Sequence, residues 1–326
     1  MAFRIGSFNM RNIGLAALSD DNSRDIEKIA RIIRNEEFDV VALQEVLSEG
    51  KAIFSEKYAE KTILWELGSD WDFRWADAET SGADKRHEGY AFVWNKKRLR
   101  LSSAILDDGT ERIFNPRICR VKYGNMIRKP YYARFTPKGT FASIPIEIRL
   151  LCIHTFFGQN DNLADRLVRQ RELDTLLKEI YPQIADRVYK DDLPSYTIVL
   201  GDYNAELYRP WHDLLERPKK AMYIDDVVIA HNWDDMAIKT VQDQLTTLKG
   251  SSSQEDDEYS PSDESKANRL AHNYDHFSYE DSERFDELSI KCKRIDAIRK
   301  YTDDDADKYR REISDHLPIM LSIEIG

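Results

Sequence analysis

The chain has 326 residues and a formal net charge of −11, and 41% of its residues are hydrophobic while 33% are charged. This length allows one large α/β domain or two smaller ones with a sizeable core, and the composition excludes a chain that is disordered throughout. The negative charge argues against broad electrostatic attraction to nucleic acid, although a metal-dependent nuclease can work on an acidic scaffold.

No apolar run approaches the length that spans a membrane, and the residues after Met1 run directly into a strand-like segment rather than a cleavable signal. The three cysteines are an odd number at wide spacing, so we expect small core hydrophobes rather than a disulfide framework. Unpaired cysteines are typical of a reducing compartment, and we therefore predict a cytoplasmic protein.

Strand-like and helical periodicities alternate along the chain. Strands are predicted at residues 3–8, 38–43, 90–94, 99–101, 144–153, 196–200, 275–279, 290–298 and 317–325. Apolar residues at helical spacing predict helices at 26–33, with Asn22 or Ser23 as the N-cap, and at 163–180. The almost continuously apolar run 38–43 is typical of a sheet covered on both faces. The pattern predicts two layers of sheet with helices outside, in a single domain over residues 1–326.

One segment, at about 249–265, has almost no apolar content and many acidic and serine residues. Such a composition cannot repay the entropy cost of ordering, so we predict a flexible acidic insert. A solvated surface loop is the simplest interpretation, and an acidic segment that regulates the protein or binds a protein partner is the alternative.

The predicted strand at 196–200 runs directly into the turn Gly201-Asp202-Tyr203-Asn204-Ala205. A strand that ends in such a turn can hold a carboxylate and an amide at the edge of a sheet. Gly, Asp and Asn also suit ordinary turns, so this segment indicates a site only if other segments supply the rest of it.

The other predicted strands also begin or end with polar residues suited to phosphate chemistry. Together with Asp202 and Asn204 of the turn just described, the candidate residues are Asn9, Gln44, Glu45, Glu88, His154, Asp275, Asp315 and His316. Each one alone has a purely structural explanation, such as a solvated or capping side chain. Their placement at most of the predicted strand ends is much harder to obtain by chance, and it predicts one shared site.

Hydrolysis of a phosphodiester requires charge neutralisation, an activated water and protonation of the leaving oxygen. A hard divalent ion such as Mg²⁺ prefers carboxylate oxygens and water, which Glu45 and Asp315, together with Asn9, would supply. No Cys and His cluster has zinc-ligand spacing, so zinc is not expected. Histidines that handle protons need carboxylate partners, and Glu88 and Asp275 are available.

The order of these segments resembles the endonuclease/exonuclease/phosphatase superfamily, and within it the DNase I-like branch. The matching pieces span nearly the whole chain: Ser7-Phe8-Asn9, Leu43-Gln44-Glu45-Val46, Glu88-Gly89-Tyr90, Arg128-Lys129-Pro130, His154, Gly201-Asp202-Tyr203-Asn204-Ala205, Tyr274-Asp275 and Ser314-Asp315-His316-Leu317-Pro318. The resemblance implies a four-layer sandwich of two packed mixed β-sheets flanked by helices. It also implies one site at the end of the sheets that depends on Mg²⁺, with Mn²⁺ or Ca²⁺ as substitutes or assistants.

The resemblance also implies a role for each matching residue. Glu45 would be the principal metal ligand, with Asp315 as a metal-side carboxylate and Asn9 close to the metal or the phosphate. Asp202 would position or deprotonate the attacking water. The phosphate would be oriented or bound by Asn204, by Arg128, and by two histidine–carboxylate pairs that also handle protons: His154 with Glu88, and His316 with Asp275. The assignment of base and acid stays open.

The choice of substrate also stays open. The Glu88 and His154 pair and the Arg-Lys-Pro match favour the DNase I-like branch, whereas sphingomyelinase-like and inositol-phosphate phosphatase branches also keep a histidine at the position of His154. Leu47 stands where pancreatic-type DNase I has a basic residue that enters the minor groove. A basic cluster with nearby tyrosines could track a phosphate backbone, or it is an ordinary exposed loop: Arg112, Arg117, Arg120, Lys122, Tyr123, Arg128, Lys129, Tyr131 and Tyr132.

Three hypotheses follow from the sequence. The leading one is an Mg²⁺-dependent endonuclease that cleaves DNA, with RNA as a further substrate class. The second is a phosphoesterase that acts on a lipid or a small soluble phosphate. The third is a catalytically dead binding module, which would require the loss of a key group, and none is missing.

Overall fold

A computed structural model describes residues 2–18, 24–47, 53–54, 62–78, 88–122, 126–158, 163–187, 193–205, 238–241, 244–248, 270–280 and 282–325. The predicted acidic insert at 249–265 lies outside these residues, as does Tyr123 of the basic cluster. Among the helices that are described, none is long and apolar enough to cross a membrane.

The first sheet has six strands. Their order is β14 (Leu288–Arg294), β15 (Ile319–Ile325), β1 (Ala2–Ile13), β2 (Val40–Leu47), β4 (Glu88–Asn95) and β3 (Trp71–Asp77). Strands β1 and β2 run parallel, and the other neighbours are antiparallel.

The second sheet has its own parallel pair, β10 and β11. Its order is β12 (Ile238–Val241), β13 (Asp275–Glu280), β11 (Ser195–Asp202), β10 (Glu147–His154), β9 (Tyr131–Pro137) and β5 (Leu99–Leu101), with β8 (Arg117–Ile118) beside β9. A separate hairpin joins β6 (Ser103–Ile105) to β7 (Glu111–Ile113).

Short helices cover the outer faces of both sheets. The α-helices are α1 (Ile26–Asn35), α2 (Ile63–Leu67), α3 (Leu163–Thr175), α4 (Tyr181–Ala185), α5 (Glu283–Asp286), α6 (Ala297–Thr302) and α7 (Ala306–Glu312). A π-helical turn at Leu176–Ile180 joins α3 to α4, and short 3₁₀ turns lie at Leu15–Leu18 and Gly139–Phe141.

Two sequence predictions about these elements were wrong. The N-cap of α1 is Asp25, whose side chain accepts a hydrogen bond from the Lys28 backbone at 2.8 Å, and not Asn22 or Ser23. The predicted strand at 290–298 ends at Arg294, because Asp296 caps a new helix and its side chain accepts a hydrogen bond from the Arg299 backbone.

Three hydrophobic cores separate four layers. The core between the sheets includes Phe3 and Ile5 of β1 together with Leu150 of β10. A second core lies between the first sheet and helices that include α1, and a third lies between the second sheet and α3 with its continuation. This arrangement confirms the predicted α/β sandwich of two packed mixed sheets flanked by helices.

Candidate active site

The alternation of side chains along each strand brings the predicted site residues to the inner faces of the sheets. In β10, Leu150 and Cys152 lie in the core between the sheets, so His154 at the strand end faces the same way. The same alternation places four further buried residues on the inner faces: Asn9, Glu88, Asp202 and Asp275. A hydrophobic stripe of period two therefore ends in a polar cluster.

The register of the second sheet brings three of these residues side by side. His154 is the parallel partner of Asp202, and Asp202 is the antiparallel partner of Asp275. The first sheet contributes Glu88 from the first residue of β4, and Asn9 from within β1, where the pairing with β2 shifts register; β1 continues to Ile13 beyond the predicted strand end at Asn9. Because both sheets end here, the cluster lies at one end of the sandwich.

Glu45 reaches the cluster through a backbone irregularity. The pairing of β2 with β4 shifts register between Leu43 and Val46, and Glu45 has a φ of 54°. A bulge of this kind changes the direction of a side chain, and a left-handed φ in a residue other than glycine costs about 1 kcal/mol. The carboxylate of Glu45 accordingly accepts a hydrogen bond from the Asn9 amide at 2.9 Å.

The turn after β11 is built around Asp202. The backbone N–H of Asn204 donates to Asp202 Oδ1 at 2.8 Å, and the Asn204 side chain donates to the carbonyl of Thr155 at 2.8 Å. Gly201 has a φ of 146°, and a Cβ there would lie 2.0 Å from the carbonyl oxygen of Ile153. Only glycine fits this position, which holds Asp202 next to His154.

Glu88 and His154 form the first histidine–carboxylate pair. His154 Nδ1 lies 3.1 Å from Glu88 Oε2, and the Arg128 guanidinium binds both oxygens of Glu88 at 2.8 and 3.1 Å. Burial alone would raise the pKa of Glu88, but His154 and Arg128 outweigh it and hold the pKa at about 2. Burial and Arg128 lower the pKa of His154, whereas Glu88 and Asp202 raise it, and the net result is a raised pKa.

Asp275 and His316 form the second pair. His316 Nδ1 lies 2.8 Å from Asp275 Oδ2, and both side chains are almost fully enclosed. Burial lowers the pKa of His316, but the negative charges of Asp275 and Asp202 raise it well above its usual range. Burial raises the pKa of Asp275, and His316 offsets this only in part.

Both pairs converge on Asp202. The Nε2 atoms of His154 and His316 lie 3.7 and 3.6 Å from Asp202 Oδ2. The Asn9 amide also donates to this oxygen, at 2.9 Å, and so connects Asp202 with Glu45. The arrangement holds two protonatable nitrogens and a carboxylate around one point, which is what in-line hydrolysis with proton transfer requires.

A divalent cation fits this site. Among the described residues, a group of possible ligand atoms that lie within 4.8 Å of one another comes from Glu45, His154 and Asp202. With both histidines protonated, four carboxylates (Glu45, Glu88, Asp202 and Asp275) lie among three cationic groups (Arg128, His154 and His316). The uncompensated negative charge and the carboxylate oxygens favour a hard cation.

The predicted metal ligands are arranged differently from expectation. Of the three, Glu45 lies in the group just described. The Asn9 amide points its NH₂ at Glu45 and Asp202, and its oxygen accepts from the Arg11 backbone at 2.9 Å. Asp315 forms an ion pair with Arg11 at 3.3 Å. Metal contacts of Asn9 and Asp315 stay predictions.

Arg128 points inward. Its side chain is buried, binds Glu88 and donates to the carbonyl of Thr155 at 3.2 Å. This geometry gives Arg128 a positioning role, and its contact with a phosphate oxygen stays a prediction. The neighbouring cations Arg112, Arg117, Arg120 and Lys122 are exposed, whereas Tyr131 and Tyr132 are buried and unavailable for stacking.

Sequence reasoning missed residues that hold the site in place. Glu172 of α3 is buried and accepts from the backbone N–H groups of Ile127 and Phe156, each at 2.6 Å, which fixes the segments that carry Arg128 and His154. Thr246 Oγ1 accepts from the backbone N–H of Asp275 at 3.3 Å. Neither residue stands out in the sequence, because its importance comes from a distant backbone partner.

We compared the chain with protein families and with solved structures. A model of the endonuclease/exonuclease/phosphatase family matches residues 6–263. No curated protein matches the chain in sequence. Among solved structures, TDP2 from D. rerio complexed with a single-strand DNA product is similar, with a TM-score of 0.54, 13% identity and 99% of each chain covered.

Two bacterial structures are similar to the same degree. A family protein from Leptotrichia buccalis has a TM-score of 0.55 and 17% identity, over 99% of this chain and 100% of that one. Another from Bacteroides thetaiotaomicron has a TM-score of 0.54 and 13% identity, over 100% of this chain and 98% of that one. At these identities the similarity shows the fold, which confirms the DNase I-like architecture.

Proposed function

The chain belongs to the endonuclease/exonuclease/phosphatase family, and from this premise we propose that it is a divalent-metal-dependent phosphodiesterase that cleaves DNA internally. The observation that carries this proposal is the convergence of two histidine–carboxylate pairs on Asp202, with Nε2 to Oδ2 distances of 3.7 and 3.6 Å. Such a site can position a water, bind a phosphoryl group and deliver a proton.

The residues divide this work by charge. Asp202, an acceptor next to both imidazoles, orients the attacking water and takes its proton. The Nε2–H groups of His154 and His316 face the position of the phosphoryl oxygens, where positive charge stabilises the transition state. Asn204, held by Thr155, orients the phosphate.

Glu45, with the neighbouring carboxylate of Asp202, would hold Mg²⁺, or Mn²⁺ or Ca²⁺ in its place. When bound, the ion would supply charge neutralisation for the phosphoryl group and the leaving oxygen. Asn9 keeps the two carboxylates at a fixed separation by donating to both. Glu88 and Asp275 set the ring orientation of the two histidines.

Two observations support a nucleic acid as the substrate. The similar TDP2 structure contains a single-strand DNA product. In addition, Arg112, Arg117, Arg120 and Lys122 are exposed in the segment before Arg128 and could contact a phosphate backbone.

The net charge of −11 favours a second candidate, a phosphoesterase that acts on a lipid or small soluble phosphate. The two candidates differ in their dependence on salt. Binding of a polyanion weakens steeply as salt rises, because counterions are released, whereas binding of a small phosphate weakens little. The salt dependence of KM therefore separates them.

A substrate panel tests the proposal. Purified protein with Mg²⁺, or with EDTA, is given supercoiled plasmid, single-stranded DNA, RNA, phospholipids and inositol phosphates. We expect Mg²⁺-dependent nicking of the plasmid that is lost in Asp202→Ala and His154→Ala but kept in Asp286→Ala, a matched change of an exposed carboxylate. Release of a small phosphate with intact DNA and RNA would contradict the nuclease proposal, and activity in both site variants would contradict the site.

A further inference from the structure

Three aromatic side chains form a row in space, and the segments that carry them adjoin the catalytic cluster. We call them the ring platform: His272, Tyr274 and Phe157. The rings of His272 and Tyr274 are parallel, with centroids 4.7 Å apart and an interplanar angle of 2°. The Phe157 ring lies 6.2 Å from that of Tyr274 at an angle of 52°. The guanidinium of Arg169 lies 5.7 Å from the Phe157 centroid.

The backbone under the platform is held from two sides. The His272 carbonyl accepts from the backbone N–H groups of Thr246 and Thr247, at 2.7 and 3.0 Å, and the His272 N–H donates to Thr247 Oγ1 at 3.0 Å. The Tyr274 carbonyl accepts from the backbone of Tyr203 at 2.8 Å. These bonds fix the positions of His272 and Tyr274, so the platform is organised before any ligand binds.

The rings of the platform lie at the surface rather than in a hydrophobic core. Phe157 is 38% exposed, His272 is exposed and Tyr274 is half-buried. Within the described part of the chain, none of the three belongs to the cores between the layers. Leaving a large aromatic ring in water forgoes roughly 1.5–3 kcal/mol of burial energy. Exposed rings on a fixed backbone are typical of a surface that stacks against a ligand.

The platform is adjacent to the proposed phosphate position. Tyr274 directly precedes Asp275, the partner of His316. Phe157 follows His154 by three residues, and the Thr155 carbonyl between them accepts from Asn204. The two segments that carry the rings therefore adjoin residues of the catalytic cluster.

We propose that the ring platform stacks against the base of an unpaired nucleotide that flanks the scissile phosphate. This inference rests on the proposed function, because it takes the phosphate position from the catalytic cluster. A nucleobase presents a flat π-face to each ring, and stacking of this kind accepts any base. The guanidinium of Arg169, which is buried, packs against the Phe157 ring and helps to hold it in place. The platform accordingly predicts a preference for single-stranded over paired DNA at the cleavage point.

The test uses a single-stranded oligonucleotide with methylphosphonate linkages, which are uncharged and resist hydrolysis, so that binding reports stacking. It carries 2-aminopurine, whose fluorescence is quenched when it stacks on an aromatic ring. We expect quenching with the wild-type protein and roughly 5- to 100-fold weaker binding for Phe157→Leu and for Tyr274→Leu. Tyr274→Phe, which keeps the ring, should bind as the wild type does.

The controls separate this inference from the proposed function. Trp65→Leu changes another exposed ring, 58% accessible and outside the platform, and should leave quenching unchanged. Equal affinity for an abasic version of the oligonucleotide, equal quenching in Tyr274→Leu, or no binding at all would overturn the platform, whether or not DNA is cleaved. Base-dependent binding without hydrolysis of any phosphodiester would overturn the proposed function and leave the platform standing.

Discussion

The two histidine–carboxylate pairs have the same residue types and opposite electrostatic balances. Glu88 is bound by two cations, His154 and Arg128, and its pKa falls to about 2. Asp275 is bound by His316 and by the hydroxyl of Thr246, and burial raises its pKa. The added cation contributes to the difference, since Arg128 also lowers the pKa of His154. Neighbouring carboxylates contribute as well, because Asp275 and Asp202 raise the pKa of His316 well above its usual range.

This difference predicts different roles for the two rings. A histidine whose pKa is only moderately raised can exchange a proton near neutral pH, which suits general acid or base catalysis. A histidine that stays protonated contributes a fixed positive charge. Asp202 takes the proton of the attacking water, so we expect His154 to transfer the proton of the leaving oxygen. We expect His316 to stabilise the charge on the phosphoryl group.

The largest effects are expected when each ring is removed. His154→Gln should lower kcat/KM by about 10²–10⁴-fold, the usual contribution of a positioned acid or base. His316→Gln should lower it by about 10²–10³-fold, the usual effect of removing one donor that stabilises charge in the transition state. The alkaline decline in the pH profile should disappear only in His154→Gln, because that ring is the one that titrates. Profiles of kcat/KM against pH with single-stranded DNA measure this, and an unchanged profile in His154→Gln would contradict the assignment.

A backbone change tests the strand that both pairs share. Gly201 lies opposite Ile153 on one side and His276 on the other, next to each pair. Gly201→Ala should destabilise the protein by about 3 kcal/mol, because the new Cβ would clash with the Ile153 carbonyl. The control is Gly109→Ala, at a φ of 81° with nothing within 4 Å of the new Cβ, where about 1 kcal/mol is expected. Urea unfolding measures both, and equal losses would be inconsistent with the clash.

Acid stability separates the two carboxylates. The pKa of Glu88 is lowered from 4.5 to about 2, so its ionised form adds stability above pH 4.5 that is lost as pH falls towards 2. Glu88→Gln should therefore cost on the order of 3 kcal/mol at neutral pH and much less in strong acid.

The pKa of Asp275 is raised instead, so the free-energy cost of Asp275→Asn should not shrink as the pH falls, unlike that of Glu88→Gln. Glu287→Gln, at an exposed position, is the matched control. The measurement is the free energy of unfolding of each variant from neutral pH down to about pH 2. Parallel curves for the wild type and Glu88→Gln would refute the lowered pKa of Glu88.

The smallest expected effect comes from Arg128. Because Arg128 lowers the pKa of His154, Arg128→Met should move the alkaline decline in kcat/KM to higher pH, by up to about one pH unit. Arg120→Met, at an exposed position, should leave the profile in place. A shift to lower pH in Arg128→Met would mean that Arg128 does not act on His154.

Much of the site was predictable because strands alternate with period two. An apolar stripe that enters a core must end in residues on the same face, so Asn9, His154 and Asp202 could be located from the sequence alone. Glu45 obeys a different rule, since its position depends on a bulge and a left-handed φ that the sequence does not mark.

Two features of the structure could not be predicted from the sequence, one set by a distant partner and one by the local backbone. The charge of Arg128 is visible, but its inward orientation depends on Glu88, forty residues away. Likewise, the predicted helix at 163–180 continues to Ala185 through a π-helical turn that precedes Pro182. Proline lacks the N–H that regular helix continuation needs, so the change of winding is a local response that periodicity alone does not reveal.

The most direct test of the central claim is a double-mutant cycle on DNA cleavage. If both pairs act through Asp202 as one unit, the effects of their loss are not additive. Asp202→Asn combined with His154→Gln should then lower kcat/KM no further than Asp202→Asn alone, and the same should hold with His316→Gln. Losses that multiply in the double variants would show independent action and contradict convergence on Asp202.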